Sequence, residues 1–364
     1  MTAPLNCDVP QFGPGIPLDV AAVSPELATG RDISVAVIDT GSANPGTTGD
    51  RSSCIVHGTV VASVIKQMAP DAKLHSLRHS PREDSPQGTV ADLIQAINAA
   101  REMHARIINI SMVACEDIPE LRETVLSAQR EGALIVASAG NRGQCEDFSA
   151  PFPASIPDVL SVGAVEKRSS EQVPDSPGLN AGRIPAEYTA PGAAGVLYAP
   201  GGPVSGTLET ETGPRTIIGG PDAFYGTSFA APVVTGTAAL VWEIAPFLSP
   251  QEIADVLTST TIPGGAPLAG STPLLVVDPQ AAVEKAWSLR EIHDGSRTPE
   301  PHQTPASLTT VSSQPVSETP RDYSVPLALS AVLALVLVAT LVARAFSSES
   351  KPPSGSAEIT RHGA

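Results

Sequence analysis

Short apolar runs alternate with amphipathic stretches over the first 290 residues of this 364-residue chain. Residues 33–38 (ISVAVI) have the length and the β-branched content of a strand that is buried on both faces. Residues 88–103 carry apolar side chains at helical spacing, and they lead into a second apolar run at 106–111. This alternation predicts βαβ units around a mainly parallel sheet that helices cover on both faces.

The remaining elements follow the same rhythm. Apolar stripes at helical spacing predict three more helices, which are expected from His57 to about Pro70, at 118–130 and from Ser228 to about Ala245. Further strands are expected at 72–77, 133–139, 159–165 and 187–192. The sheet therefore has at least six predicted strands. Because parallel strands direct their carboxyl ends toward the ligand-binding edge of such a sheet, side chains at those ends are candidates for chemistry.

Composition and charge narrow the classes of function. The chain is 41% hydrophobic, which is ample for one large core, and we expect a globular domain of roughly 270 residues. It has 22 basic and 38 acidic residues, so its formal net charge is −16. Because phosphate recognition needs clustered Lys and Arg, and no such cluster is present, we exclude nucleic acid as a partner.

The C-terminal region differs in composition from the rest. Residues 291–324 are rich in Pro, Ser and Thr, which predicts an extended linker. Residues 325–343 carry no charge over nineteen positions, enough for a helix to cross a hydrocarbon layer of about 30 Å. Basic residues in the tail at 344–364 favour a cytoplasmic tail and an extracytoplasmic globular part. The competing topology is a tail anchor with a cytosolic globular domain.

The other end of the chain bears on export. The first fifteen residues contain neither the basic nor the apolar stretch of a secretory leader. If the globular part lies outside the membrane, we therefore expect the export signal to be encoded upstream of them.

The four cysteines all lie within the first 150 residues and form no CxxC pair. Two disulfides are our interpretation, and four free thiols in a cytosolic chain are the alternative. Cys54 lies just before a predicted helix and Cys115 just after a predicted strand, so both are expected near one end of the sheet. Of the three pairings that four cysteines allow, we favour Cys54 with Cys115 and Cys7 with Cys145.

Four short motifs put chemically active side chains at the ends of these elements. Asp39 follows a strand in VAVIDTG, and Asn141 follows another in ASAGN. His57 of HGT and Ser228 of GTSFAAP each begin a helix, where unpaired N–H groups favour developing negative charge, and Thr227 is expected to cap the second of these helices. A carboxylate, an imidazole, an amide and a hydroxyl are the set needed for acyl transfer through a covalent intermediate.

Each motif has a less specific interpretation when it is taken alone. DTG after an apolar strand also occurs in aspartic proteases, but those enzymes need two such aspartates and this chain has one DTG. His57 could be a surface or capping residue, Asn141 a left-handed turn residue and Ser228 a helix cap. The presence of all four, on predicted strand ends and helix starts, argues against coincidence.

No metal or cofactor is expected. His75 and His79 lie four residues apart, a spacing that on a helix would suit zinc. They straddle the end of a predicted strand, however, and the strand rise separates them by about 13 Å, which is too far for one metal ion. The chain also contains no phosphate-binding glycine loop and no HExxH stretch.

Taken in chain order, the DTG, HGT, AGN and GTS motifs resemble those of subtilisin-type serine proteases. The resemblance implies that Ser228 attacks the peptide carbonyl and that His57 takes and returns the proton. It implies that Asp39 orients the imidazole, and that Asn141 and the backbone N–H of Ser228 bind the oxyanion.

The same resemblance covers roughly residues 18–287 and implies a fold. The expectation is a three-layer α/β/α subtilisin-like fold with a mainly parallel central sheet, in a peptidase domain at 18–290. An N-terminal extension precedes it at 1–17. Since only 38 residues precede Asp39, too few for a folded prodomain plus the first strand, we expect the cleft to be exposed constitutively.

The resemblance also assigns a substrate-binding segment. Ser111, Met112 and Val113 stand where these proteases usually have Ser-Leu-Gly, and Gly140 is also expected to bind substrate. A Val in place of Gly narrows the pocket, so we expect a preference for small residues at P1. Phe152-Pro153 matches an aromatic residue followed by a cis-proline, so Pro153 is expected to be cis.

A finer resemblance is to the mycosins, membrane-anchored subtilisin-like proteases associated with type VII secretion in actinobacteria. It rests on the linker and membrane span described above, on NISMVAC ending at Cys115, and on Cys145 soon after AGN. It implies a serine endopeptidase that acts on polypeptides at the cell membrane, with its peptidase domain on the extracytoplasmic side and a membrane secretion complex as partner. The alternative function is a scaffold with the same fold that stabilises such a complex with little or no proteolysis.

Overall fold

The computed structural model describes most of the chain up to residue 295. The described ranges are 7–51, 54–82, 84–145, 150–167, 183–190, 197–220, 222–263 and 274–295. The predicted membrane span at 325–343 and tail at 344–364, with most of the linker at 291–324, lie outside the described residues.

The described residues form a series of alternating strands and helices. The helices are α1 His57–Met68, α2 Val90–Glu102, α3 Pro119–Arg130, α4 Thr227–Ile244, α5 Pro250–Ser259 and α6 Pro279–His293. The strands are β1 Gln11–Phe12, β2 Ser34–Asp39, β3 Thr47–Gly49, β4 Lys73–Arg78, β5 Ile107–Ile110, β6 Leu134–Ser138, β7 Leu160–Lys167, β8 Arg183–Pro185, β9 Leu197–Pro200, β10 Gly206–Thr210, β11 Gly213–Gly219, β12 Ile262–Pro263 and β13 Leu275–Val276. The four predicted helices, and the predicted strands up to residue 165, lie within two residues of their predicted bounds, whereas β1 and β3 were not predicted.

The central sheet is mainly parallel, as predicted. Its strand order is β12-β13-β9-β7-β6-β5-β2-β4-β3, and β8 pairs with β7 beside this path. Only the pairings of β12 with β13 and of β8 with β7 are antiparallel. Strands β2, β5 and β6 therefore lie side by side, with their carboxyl ends at the same edge.

The strand predicted at 187–192 is wrong for the residues that the structure describes. Residues 186–189 form a turn, which is closed by a hydrogen bond from the Thr189 N–H to the Ala186 carbonyl at 2.9 Å. The Thr189 hydroxyl accepts from the N–H of Ala164 and donates to its carbonyl, both at 3.1 Å. Because the Thr189 side chain occupies both main-chain groups of Ala164, this segment adds no strand to β7 there. Strand β9 pairs with β7 through residues 197–200.

Alternating side chains of β2 pack into two separate cores, one on each face of the sheet. Val35 and Val37 belong to the core that contains α1 and α4. Ala36 and Ile38 belong to the core that contains α2 and α3. The result is the predicted three-layer α/β/α arrangement.

Helix α4 is the central element of one layer. Among the described residues it is the one helix long and apolar enough to span a membrane by length and composition, and 94% of that window is buried within the protein. A Cβ at Gly236 would overlap the Cβ of Met68, so this glycine allows α1 to pack closely against α4. Near its C-terminus, Glu243 accepts hydrogen bonds from the N–H groups of residues 29–31 at 2.6–3.1 Å, which fixes the chain just before β2.

Two disulfides are present, as predicted, but the pairing that we favoured, Cys54 with Cys115 and Cys7 with Cys145, is wrong. Cys7 pairs with Cys54, and Cys115 pairs with Cys145. Cys115 follows β5 and Cys145 follows β6, and these neighbouring strands bring the two loops together at one edge of the sheet. Cys7 instead joins the N-terminal segment to the loop before α1, and β1 then pairs with β11 in a separate three-stranded sheet.

Candidate active site

A cavity of about 670 Å³ opens at the carboxyl edge of the central sheet. Its lining includes Asp39, His57, Ser111 and Ser228. Asp39 is the last residue of β2, His57 the first residue of α1 and Ser228 the second residue of α4. Three side chains that the motifs singled out, separated by up to 189 positions, are thus brought to one cleft.

The Asp39 carboxylate is 1% exposed and holds the His57 ring. Oδ1 of Asp39 lies 2.8 Å from Nδ1 of His57 and accepts a further hydrogen bond from the Thr40 N–H at 2.7 Å. Among the described residues, the other carboxylate oxygen has no hydrogen-bond partner. Because an ionised carboxylate only accepts, the proton of a neutral His57 ring is fixed on Nδ1, and Nε2 carries the lone pair.

Small and hydroxyl residues of the two motifs allow this close approach. A Cβ at Gly58 would lie 3.0 Å from both Cβ and Oδ1 of Asp39 and would overlap the carbonyl oxygen of Gly41. The Thr40 hydroxyl accepts from the N–H of Gly58 at 3.1 Å, and the Thr59 hydroxyl accepts from the N–H of Ala43 at 2.9 Å. These hydrogen bonds therefore join the segments that contain the DTG and HGT motifs.

Opposing effects act on the pKa of His57. Burial of the ring lowers the pKa, whereas the charge of Asp39 and its hydrogen bond raise it, and Asp8 raises it further through its charge. The pKa of His57 consequently lies above its ordinary value of 6.5. The ring also contacts Phe229, with centroids 5.0 Å apart, and its side chain is 33% exposed.

The Ser228 hydroxyl lies in the cleft and is directed at Ser111, in the segment predicted to bind substrate. It donates to the main-chain carbonyl of Ser111 at 3.1 Å, and the Ser111 hydroxyl donates to the Ser228 carbonyl at 3.1 Å. Among the hydrogen bonds of the described residues, none joins the Ser228 hydroxyl to His57. Thr227 does not cap α4 as predicted, because the capping position is Gly226 and the Thr227 hydroxyl donates elsewhere.

That hydroxyl orients Asn141. Oδ1 of Asn141 accepts from the N–H and from the hydroxyl of Thr227, both at 3.0 Å. With Oδ1 occupied, Nδ2 remains as a donor, and a Cβ at Gly226 would lie 3.3 Å from it. The loop itself is fixed by the Cys115–Cys145 disulfide and by a hydrogen bond from the Asn141 N–H to Gln144 at 2.6 Å.

The predicted substrate-binding residues flank one wall of the same cleft. Ser111, Met112 and Val113 line the cavity, and Gly140, with φ +87°, lies beside them. A Cβ at Gly140 would lie 3.3 Å from Cγ1 of Val113, so the valine side chain stands close to that wall. The peptide bond between Phe152 and Pro153 is cis, as predicted.

Two polar residues that support this cleft, Asn109 and Asp8, lie outside the four motifs. Asn109 is fully buried in β5, where its amide donates to the Ser111 hydroxyl and accepts from the Thr235 hydroxyl of α4, both at 2.9 Å. Asp8 accepts from the N–H of Val56 at 2.9 Å, just before His57. Asn109 could have been found as the polar residue inside an apolar strand, whereas nothing local marks Asp8.

No group of three or more His, Cys, Asp or Glu side chains that could hold a metal ion occurs within the described ranges.

Comparison with known proteins places this cleft in a family context. The family model of the subtilase peptidases matches residues 30–287. The chain is 31% identical to Mycosin-1 of Mycolicibacterium smegmatis over 326 residues, covering 74% of this chain and 71% of that protein. It is 29% identical to Mycosin-4 of Mycobacterium tuberculosis, covering 86% and 78% of the two chains.

A solved structure agrees with these sequence comparisons. The MycP3 protease from the type VII (ESX-3) secretion system superposes with a TM-score of 0.58 at 27% identity. The match covers 76% of this chain and 92% of that one.

Proposed function

The chain belongs to the subtilase family of serine proteases, and from this premise we propose that it cleaves peptide bonds with Asp39, His57 and Ser228 as its catalytic triad. The observation that carries the proposal is the 2.8 Å contact between Asp39 and Nδ1 of His57 in the cleft that also holds Ser228. This contact leaves the basic Nε2 of the imidazole available to the serine hydroxyl.

Acylation begins when the Ser228 hydroxyl gives up its hydrogen bond to the Ser111 carbonyl and donates one to Nε2 of His57. Oγ then attacks the carbonyl carbon of the scissile bond, and its proton passes to Nε2. The positive charge that forms on the imidazole is stabilised by the buried Asp39 carboxylate. Collapse of the tetrahedral intermediate transfers this proton to the leaving amine. In the second half of the reaction, water gives a proton to Nε2 of His57 and attacks the acyl-enzyme carbonyl, and the imidazole then returns the proton to Oγ of Ser228 as the acid product leaves.

Two donors stabilise the oxyanion in this proposal. They are Nδ2 of Asn141 and the backbone N–H of Ser228 in the first turn of α4, where the positive end of the helix dipole favours negative charge. The Thr227 contacts that fix the Asn141 amide support its role, since a preoriented donor needs no reorganisation when charge develops.

The location that we propose is the cell membrane, with the span at 325–343 as anchor and the peptidase domain on the extracytoplasmic side. Two disulfides support an oxidising compartment for the globular part. Similarity to the mycosins, and to the MycP3 protease from a type VII secretion system, supports association with such a complex. The substrate is a polypeptide.

A scaffold without proteolysis is the alternative, and the hydroxyl of Ser228 distinguishes the two functions. The test is hydrolysis of peptide p-nitroanilides by the full chain and by Ser228→Ala. We expect the variant to lose essentially all turnover, since nucleophile removal costs on the order of 10⁶ in subtilisin. Equal turnover in the two proteins would remove Ser228 from the mechanism, and no turnover in either would favour the scaffold.

The same assay tests the P1 preference. Because the Val113 side chain narrows the pocket beside Gly140, peptides with Ala at P1 should be cleaved faster than otherwise identical peptides with Phe. In Val113→Gly the difference should diminish or reverse, by about 10-fold or more in relative kcat/KM. Faster cleavage after Phe by the unmodified chain would contradict the proposed narrow pocket.

A further inference from the structure

His79 lies beside the proposed triad but has no part in the chemistry described above. It follows β4 directly, next to the end of β2, and its backbone N–H donates to the Asp39 carbonyl at 3.0 Å. Nδ1 of its ring lies 2.9 Å from that same carbonyl oxygen. The ring is 7% exposed and lines the substrate cavity.

The second ring nitrogen faces another carbonyl. Nε2 of His79 lies 3.2 Å from the main-chain oxygen of Pro86. Carbonyl oxygens only accept hydrogen bonds, and a neutral imidazole carries a single N–H. Both contacts can therefore be hydrogen bonds only when the ring is protonated on both nitrogens. A neutral ring that keeps its proton on Nδ1 retains the hydrogen bond to the Asp39 carbonyl and loses the one to the Pro86 carbonyl.

Pro86 belongs to a wall of the cleft. The wall, residues Pro86–Thr89, lines the same cavity as Ser111 and Met112. It is packed on His79, since a Cβ at Gly88 would overlap the His79 carbonyl oxygen and would lie 2.8 Å from Cδ2 of the ring. Thr89 ends the wall as the cap of α2. The imidazole thus bridges this wall to the main chain of Asp39.

From this geometry we propose that His79 is a positioning residue for proteolysis, whose protonated ring holds the wall Pro86–Thr89 against the backbone of Asp39 and so shapes the cleft for an extended peptide. The inference rests on the proposed function, because it needs a peptide to occupy this cleft. It assigns His79 to substrate binding, whereas His57 acts in the chemical step.

Charged and titratable groups of the neighbouring elements face His79. On α2, hydrogen bonds from Thr89 lower the pKa of Asp92, and the charge of His79 lowers it further, so the carboxylate and the imidazolium attract each other. On β2 the facing group is Asp39, and from α1 His57 lines the same cavity. Arg78 precedes His79 on its own strand, and its backbone N–H donates to Asp50 of the neighbouring segment at 2.8 Å.

The experiment measures kcat and KM separately between about pH 5 and pH 9, the range in which histidines titrate. The probe is the p-nitroanilide of a blocked Ala-Ala-Pro-Ala peptide, with that of blocked Ala as a short comparison. The proteins are the full chain, His79→Gln and the control His75→Gln. His75 lies on the same strand and contacts the Thr48 hydroxyl instead of the cleft. Glutamine is uncharged at every pH, and its two N–H donors share one nitrogen, so it lacks the two separate donor nitrogens of the imidazolium.

We expect the KM of the unmodified chain for the long peptide to rise about 10-fold as pH increases, as for loss of one charge-assisted hydrogen bond. In His79→Gln the KM should be high and independent of pH, with kcat within about twofold of the unmodified chain. His75→Gln should behave as the unmodified chain does, and the short comparison should respond weakly. Coinciding KM profiles for the unmodified chain and His79→Gln would overturn the proposal.

Two further measurements separate the possible failures. Nitrogen NMR of the histidine-labelled chain, with His79 assigned by its loss in His79→Gln, should show both ring nitrogens protonated where KM is low. A neutral ring throughout that range would also overturn the proposal. Labelling of Ser228 by a fluorophosphonate is measured in all three proteins. Absence of labelling in the unmodified chain would contradict the proposed triad. Equal labelling in all three proteins, together with coinciding KM profiles, would contradict only the proposed role of His79.

Discussion

At the scale of single residues, the Asp39 carboxylate has few hydrogen-bond partners among the residues that the structure describes. This carboxylate is buried, and its Oδ1 accepts hydrogen bonds from both Nδ1 of His57 and the N–H of Thr40. Gly58 leaves the space that this approach requires. A buried carboxylate that interacts with few donors depends strongly on the imidazole for stabilisation, and the imidazole in turn retains its proton to higher pH.

Asn141 offers a direct test of oxyanion stabilisation. In Asn141→Ala we expect kcat to fall by about 10²–10³ with little change in KM, which is the loss that removal of the corresponding donor causes in subtilisin itself. The reason is that Nδ2 interacts with charge that exists only in the transition state. Steady-state kinetics measures the effect, and Asn98→Ala on α2 is the control. An unchanged kcat would exclude Asn141 from this role.

The raised pKa of His57 predicts a pH dependence. Since the ring must be neutral to accept the serine proton, kcat/KM should increase with pH through an apparent pKa above 6.5. Asp8 contributes to the raised value, so Asp8→Asn should shift this limb to lower pH while its amide oxygen still accepts from Val56.

The control for this shift removes a charge elsewhere. Glu26→Gln changes the net charge equally but lies outside the groups that act on His57. The effect of Asp8 should also diminish at high salt, because Asp8 is exposed and its charge is screened. Identical limbs in Asp8→Asn and the unmodified chain would contradict the assignment.

At the scale of secondary-structure elements, the approach of α1 to α4 fixes the distance between the residues that begin these helices. The helices meet where Gly236 faces Met68 without a side chain between them. His57 begins the first helix and Ser228 lies in the first turn of the second. Met68 is the last residue of α1 and Gly236 lies midway along α4, so a contact far from the cleft contributes to the placement of the residues at the cleft.

Gly236→Ala tests this packing. Alanine is the better helix former by about 1 kcal/mol, but here its methyl group would overlap Met68, so we expect a net loss of about 1–3 kcal/mol of unfolding free energy. For a domain of this size that corresponds to a fall in melting temperature of several degrees, measurable by thermal unfolding. Gly220→Ala is the control, since a Cβ added at Gly220 would have no described atom of another segment within 4 Å. Equal or greater stability in Gly236→Ala would contradict the close approach.

What the sequence predicted correctly was mostly local. The strand at 33–38 and the helix at 88–103 were recognisable because burial on one or both faces imposes a period on neighbouring residues. The pairing of Cys7 with Cys54 was not, because it depends on where an N-terminal segment crosses a distant loop. Thr227 was assigned to capping for a similar reason, since its actual partner, Asn141, lies 86 positions away.

At the scale of the whole molecule, two disulfides join segments that are distant in the chain beside the cleft. The N-terminal segment is joined to the loop before α1 by the Cys7–Cys54 disulfide and pairs with β11 through β1. The loop after Asn141 is joined to the segment after Ser111 by Cys115–Cys145, and these are the proposed oxyanion and substrate-binding segments. Both covalent links flank residues of the proposed site, so the site depends on an oxidised, completely folded domain.

The most direct test of the proposed triad is covalent labelling of the folded, disulfide-bonded full chain with a fluorophosphonate, followed by mass spectrometry of its peptides. We predict a single labelled serine, Ser228, with a labelling rate that increases with pH as His57 loses its proton and that falls sharply in His57→Ala. No labelling of the folded chain at any pH, or labelling of another serine with Ser228 unmodified, would contradict the account.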